Sequence, residues 1–299
     1  MRTPFRLPLA VLLLVTLLAG CSFGFVYRQL DWLVPWYVSD YIALDDSQRS
    51  ELERRVLHQL EWHCSTQLPR YAAWLRQLQA DPDTLSREQL EQHYLQSRSF
   101  WHELMGRVAD NGAQILVTTS DAQIEELRRS LERRNREVER EFADLSEAQR
   151  LERRKERLLR LLKRWLGEVN PQQQRHVDEW SEALGKVDLS GWMHNRRQWQ
   201  QQLLDAIRQR DDIHHLNEQL QRLLIEPERL WSERDQAEYL RRKTLTLDML
   251  AAVAQAMTAR QHRHLNDRLL SWAEDFETLA CAGEVVGEAK ASSSARMEH

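Results

Sequence analysis

The sequence predicts an all-α fold: an elongated bundle or array of long amphipathic helices with no significant sheet. Three observations predict it. Glycine (9) and proline (7) are scarce in 299 residues, against roughly 7% and 5% in ordinary proteins. Charged residues make up 29% of the chain and its mean hydropathy is −0.65, so most positions face water while Leu, Arg, Gln and Glu, all good helix formers, dominate. Apolar residues recur every three or four positions along most of the chain, the period of an amphipathic helix. Collagen, a polytopic membrane protein, a Gly/Pro-rich disordered chain and a turn-rich β-sandwich are excluded together.

Residues 121–145 show the pattern. Ile124, Leu127, Leu131, Val138, Phe142 and Leu145 form one stripe, interrupted at Arg134 or Asn135. The other face carries Arg128, Arg129, Glu132, Arg133, Arg136, Glu137, Glu139 and Arg140, a solvated face laced with opposite charges. Similar periodicity predicts helices over about 46–68, 86–110, 147–167, 171–185, 194–224 and 228–281. Pro69, Pro82, Pro171 and Pro227 mark starts or breaks, and Gly185 to Gly191 marks a loop. Ile115 to Thr119 (ILVTT) is the one strand-like stretch.

A start signal recurs at Leu44-Asp45-Asp46-Ser47-Gln48, Leu85-Ser86-Arg87-Glu88-Gln89 and Leu145-Ser146-Glu147-Ala148-Gln149. Looser copies stand at Val169-Asn170-Pro171-Gln172-Gln173 and Met257-Thr258-Ala259-Arg260-Gln261. Each predicts a capping box: a side-chain oxygen accepts from free N–H groups, the glutamine three residues on bonds back, and the preceding apolar residue is the staple. The irregular spacing excludes a strict one-period solenoid. The signature is similar to one in small periplasmic helical chaperones and stress sensors, and resembles that of the membrane-anchored foldases that assist secreted lipases. Capping physics explains it without a shared function.

The N-terminus carries an address. Arg2 and Arg6 precede the apolar run Leu9–Leu18, which is too short to span a bilayer as a helix but fits the h-region of a secretory signal. Leu18-Ala19-Gly20-Cys21 then resembles the lipobox of bacterial lipoproteins. The resemblance implies cleavage before Cys21 and lipidation of its sulfur. Ser22 rather than Asp after the cysteine suits an outer-membrane, periplasm-facing address. Cleavage removes Arg2 and Arg6 and takes the formal charge from −4 to −6, a balance unsuited to nucleic acid. Cys64 and Cys281 remain as an even pair in an oxidising compartment; they form either a disulfide between the first and last long helices or two buried thiols.

Residues 22–44 hold Phe23, Phe25, Tyr27, Trp32, Trp36, Tyr37 and Tyr41, with Pro35 expected to break or kink a helix. Such aromatics suit either the protein's own core or a membrane surface, where one end is apolar and the other wet. The run Cys21-Ser22-Phe23, Tyr27, Leu30-Asp31-Trp32-Leu33, Pro35-Trp36-Tyr37-Val38 and Asp40-Tyr41 resembles the opening of an uncharacterised family of proteobacterial lipoproteins, mostly helical and of about this length. That resemblance implies location and fold and supplies no catalytic residue. The expected organisation is a signal peptide over 1–20, an aromatic membrane-proximal segment over 21–43, a helical domain over 44–282 and a disordered tail over 283–299.

No motif calls for a cofactor. The pattern lacks Cys-x-x-Cys, a Gly-x-Ser-x-Gly elbow and a phosphate-cradling loop. Asp211-Asp212-Ile213-His214-His215 offers two Asp-x-x-His pairs at helical spacing, read here as a polar helix junction rather than a metal site. The densest basic run holds Arg153, Arg154, Lys155, Arg157, Arg160, Lys163 and Arg164 with leucines at helical spacing. It is either a contact for anionic envelope material or a solvated face paired with acidic neighbours. The expectation is a lipid-anchored, non-enzymatic envelope protein that binds another protein as a chaperone, assembly factor or scaffold. An enzyme acting on peptidoglycan or lipid, and a structural spacer, are the rival readings.

Overall fold

A computed structural model describes residues 23–80, 85–186 and 188–282. The expected signal peptide, Cys21 and the expected tail lie outside the described residues. Every regular element among the described residues is a helix, with no strand, so the chain is an all-α helical array. The described residues divide into two compact units, one drawn from 23–38, 52–80 and 266–282 and one from 39–51, 85–186 and 188–265.

The first unit begins with α1 (Phe23–Tyr27) and α2 (Leu30–Ser39). Backbone bonds from Arg28 to Gly24, Gln29 to Val26 and Leu33 to Gln29 carry the helical turn across the junction. The expected break at Pro35 is not there: α2 runs through it with the ring buried. Proline removes one N–H, the partner of the Asp31 carbonyl in a short helix, and burial of its ring offsets that loss.

The unit continues with the part of α3 (Asp46–Trp62) from Leu52 on, a single π-type turn at His63–Gln67, and α4 (Leu68–Ala80). Leu68 N–H bonds five residues back, to the His63 carbonyl. Pro69 explains why the helix widens rather than ends here: it has no N–H to give to the Ser65 carbonyl. The Ser65 and Thr66 hydroxyls donate to the Glu61 and Trp62 carbonyls at 2.7 and 2.6 Å, which keeps the irregular turn satisfied. Leu68, Ala72 and Leu75 bury one face of α4. Leu269, Trp272, Ala273 and Leu279 do the same on α12 (Ala259–Ala282), from the part of that helix that belongs to this unit. A chain of rings, His63–Tyr71–Phe276–Trp272, joins them edge to face with centroids 5.5 to 6.0 Å apart.

The second unit contains α5 (Arg87–Leu116), α6 (Asp121–Ala143), α7 (Glu147–Leu166), α8 (Pro171–Leu184), α9 (Leu189–Arg208), α10 (Ile213–Ile225) and α11 (Glu233–Gln255). One core is built from Ala109 and Ala113 of α5, Ile124, Leu127 and Leu131 of α6, Leu204 and Ile207 of α9, and Leu216 and Leu220 of α10. Another joins Leu162 and Leu166 of α7, Val177 of α8 and Met249 and Val253 of α11. The interruption of the apolar stripe at Asn135 is a polar clasp. Asn135 and Gln200, both buried, exchange hydrogen bonds at 2.6 and 3.2 Å, and Arg196 Nε donates to Asn135 Oδ1 at 2.7 Å.

Three boundaries differ from the periodicity. The helix expected over 194–224 is two helices, because Asp212 accepts the N–H groups of His214 and His215 at 2.9 and 3.1 Å and starts α10. The long run 228–281 is a 3-10 turn (Pro227–Leu230) and two helices, α11 and α12, the second opening at Thr258. The strand-like ILVTT is the end of α5, where the Thr118 and Thr119 hydroxyls return to the Ile115 and Leu116 carbonyls. Gly185 does end α8, with φ +67°, but Gly191 lies in the first turn of α9, where an added Cβ would meet Asp188 Oδ2 at 2.5 Å.

Candidate functional site

The expected start signals are capping boxes, and burial turns some of them into joints. Gln173 and Gln261 are wholly buried. Each accepts the N–H of its own cap residue, Asn170 and Thr258, and their amides face each other. Gln261 Nε2 donates to Gln173 Oε1 at 2.8 Å and to the Glu168 carbonyl at 3.0 Å, and Gln173 Nε2 donates to the Val253 carbonyl at 3.1 Å. The same arrangement occurs where α3 and α6 begin. Gln123 Nε2 donates to Gln48 Oε1 at 2.6 Å and to the Ala43 carbonyl at 2.7 Å, and Gln48 Nε2 donates to the Thr118 carbonyl at 2.8 Å. The Ser120–Gln123 box was not among the expected ones, because Thr119 rather than an apolar staple precedes it.

In the first unit the π-type turn places His63 against Tyr27, whose hydroxyl lies 3.0 Å from His63 Nδ1, with the Trp62 and Tyr71 rings edge-on. Burial holds the imidazole well below its usual range, to about 4, so it is neutral at physiological pH. Burial, reinforced by Cys64 and Tyr71, pushes the Tyr27 phenol up. Cys64 is buried, and its Sγ donates to the Leu279 and Ala280 carbonyls at 2.8 and 3.3 Å. The choice between the two readings for the cysteines turns on the side chain of Cys281, which lies outside the described residues.

The same unit divides the aromatic segment by exposure. Leu33 and Pro35 are buried, whereas Phe25, Trp32 and Trp36 are 68%, 54% and 51% exposed. Trp32 Nε1 donates to Gln29 Oε1 at 2.6 Å.

The basic run on α7 separates into two groups. Arg154 donates to the Ser181 and Gly185 carbonyls at 3.3 and 3.0 Å, closing the C-terminus of α8. Arg241 covers the Ala183 and Leu184 carbonyls of the same end. Lys155 pairs with Glu152 and with Asp178, both at 3.2 Å. Arg160 meets Glu156 at 3.3 Å. Arg153, Arg157 and Lys163 are exposed, Arg164 is half-buried, and Leu161 is exposed in their midst. Two of the seven, Arg154 and Lys155, thus fasten α8.

A second polar cluster had no signal in the sequence. The Tyr94 and Tyr239 hydroxyls meet at 2.6 Å between α5 and α11, and burial with this bond pushes Tyr239 up to about 12. Arg98 pairs with Glu228 at 2.6 Å, and Lys243 sits over the Tyr94 ring while bonding Glu91 at 2.9 Å. On the outer face of the same α5, Trp101 is 45% and Val108 36% exposed. Trp101 Nε1 donates to the Leu224 carbonyl at 3.2 Å, which holds its ring in place.

Asp211 to His215 is the junction before α10, with Asp212 held below its usual range by the N–H groups of His215 and His214. Among the described residues no three His, Cys, Asp or Glu side chains cluster as metal ligands. No described helix is long and apolar enough to cross a membrane.

These features define an all-α helical array whose polar clusters join helices and whose exposed apolar side chains stand on helix faces. Over residues 40–236 the chain matches the model described as "Family of unknown function (DUF6279)". The match spans well over half of the chain, and the chain belongs to that family. The aromatic opening that carried the resemblance to lipoproteins precedes the matched span almost entirely. No curated protein and no solved structure matches the chain.

Proposed function

We propose that this chain is a lipid-anchored envelope lipoprotein, non-enzymatic, that binds another protein through its helical surface as a chaperone, assembly factor or scaffold. Its anchor is Cys21, exposed after removal of a signal peptide, and its address is the periplasmic face of the outer membrane. The lipobox-like Leu18-Ala19-Gly20-Cys21 behind an apolar run supports the anchor.

One observation carries the binding reading: Trp101 and Val108, seven residues apart on one face of α5, are exposed, within the span that the family shares. Tryptophan is enriched at the centres of protein interfaces. A ring already fixed by its bond to the Leu224 carbonyl loses little freedom when covered.

A photo-crosslinking amino acid placed at 101 or 108 in living cells tests this reading. One discrete adduct, shared by both positions and absent when the group replaces exposed Gln174 on α8, is expected. No adduct at 101 and 108, or the same adducts at all three positions, overturns the binding face.

A further inference from the structure

We infer that Phe25, Trp32 and Trp36 form a second membrane contact, an aromatic stripe that lies in the headgroup region of a phospholipid bilayer beside the acylated cysteine. The inference deepens the proposed anchor and rests on that reading of Cys21.

Spacing gives the stripe. Positions 25, 29, 32 and 36 follow the i, i+4, i+7, i+11 rule, and the backbone bonds across residues 28–29 keep α1 and α2 in one helical turn. The three rings are the most exposed large apolar side chains of the segment, while Leu33 and Pro35 beside them are buried. The segment is therefore seated in its own unit by some residues and presents aromatics to its surroundings by others. Three large rings shown together on so short a helix mark a contact surface.

The position of the anchor selects the occupant. Cys21 stands four residues before Phe25, so the extended chain between them spans at most about 14 Å. With acyl chains on Cys21 buried in a leaflet, Phe25 stays within about 14 Å of the bilayer surface, in reach of the headgroup layer. Chemistry agrees with this distance. Tryptophan is the residue enriched where hydrocarbon meets water, its ring in the apolar side and its N–H toward polar groups. Here the Trp32 indole N–H is already bonded to Gln29, so its ring can enter the interface with no unmet donor. Arg28 is exposed between Phe25 and Trp32, placed to reach a lipid phosphate from the same turn. A protein partner for the stripe would have to fit within that headgroup layer, and it is the alternative the test separates.

The lipidated full chain, purified from membranes, is reconstituted into vesicles of phosphatidylethanolamine and phosphatidylglycerol with brominated acyl chains, which quench only nearby tryptophans. The wild type is compared with W32F/W36F, a conservative change at exposed positions that preserves the fold. Circular dichroism and retention on the vesicles confirm that both proteins are folded and anchored. Quenching in the double variant is expected to fall at least about threefold, because interfacial tryptophans are the ones within reach of the bromines. Equal quenching in both proteins, or no quenching in the wild type, overturns the stripe. The acyl mass on the Cys21 peptide, read by mass spectrometry, tests the anchor separately: an unmodified Cys21 refutes the anchor, and quenching still reports on the stripe.

Discussion

At the scale of one residue, His63 decides how the first unit responds to acid. Its imidazole is neutral beside the Tyr27 hydroxyl because burial lowers its pKa from 6.5 to about 4. The unfolded chain takes up the proton near pH 6.5 and the folded one only near pH 4, so the unfolded state binds more protons in that window. Stability is then complete above the unfolded value and falls as the pH drops towards 4. Between pH 7 and 5 this single group removes about 2 kcal/mol. Glu238, which two arginines hold at about 2, titrates below that window. Urea unfolding of His63→Gln at pH 7 and pH 5 is expected to show a loss about 2 kcal/mol smaller than that of the wild type. An equal loss in both proteins would mean that His63 is not the acid-sensitive group. Nothing in the sequence marks this histidine. Tyr27 lies 36 residues away from it, and only the π-type turn before Pro69 brings the ring inward.

Between helices, the capping glutamines show what a local pattern reveals and what it conceals. A helix start is written in four consecutive residues, so Asp45–Gln48, Ser86–Gln89, Ser146–Gln149, Asn170–Gln173 and Thr258–Gln261 were legible, and each cap is made. Which caps meet is a tertiary fact. Gln173 and Gln261 are 88 positions apart, Gln48 and Gln123 are 75 apart, and the sequence of Gln149, which stays exposed, has the same form. Helix breaks were less legible for a related reason: Asp212 ends the periodic run 194–224 by capping, which a count of apolar residues does not register. The two kinds of box differ in energy. Gln149→Ala removes one exposed back-bond, worth under about 1 kcal/mol. Gln261→Leu leaves the Thr258 N–H and the Glu168 carbonyl without their Gln261 partner and takes one of two donors from the buried Gln173 amide oxygen, costing about 3 kcal/mol. Chemical denaturation of the two variants separates them; equal costs would show that the joint adds nothing to the cap.

For the whole molecule, the proposed anchor raises the question of what would hold an acidic body on a membrane. With the mature charge of −6 that the proposed cleavage would leave, the body as a whole would be repelled by anionic lipid, while on α7 Glu156 pairs with Arg160 and Glu152 with Lys155. Surface charge interactions of this kind are worth under about 1 kcal/mol each, so on the proposed reading they would add little to attachment. Two contributions remain. A single acyl chain gives an association constant of only about 10⁴ M⁻¹, and further chains on the same residue make the attachment stable. On the inferred contact, the stripe of Phe25, Trp32 and Trp36 would add a smaller amount and restrict how the first unit faces the bilayer. This ranking predicts different outcomes for the two kinds of variant. Cys21→Ser is expected to move most of the protein into the soluble periplasmic fraction and to change its mobility on a gel. W32F/W36F, which keeps the acyl chains, is expected to stay in the membrane pellet with its quenching reduced. A Cys21→Ser protein that pellets and migrates like the wild type would refute the anchor. A W32F/W36F protein released by mild salt would reverse the ranking and make the stripe the principal attachment.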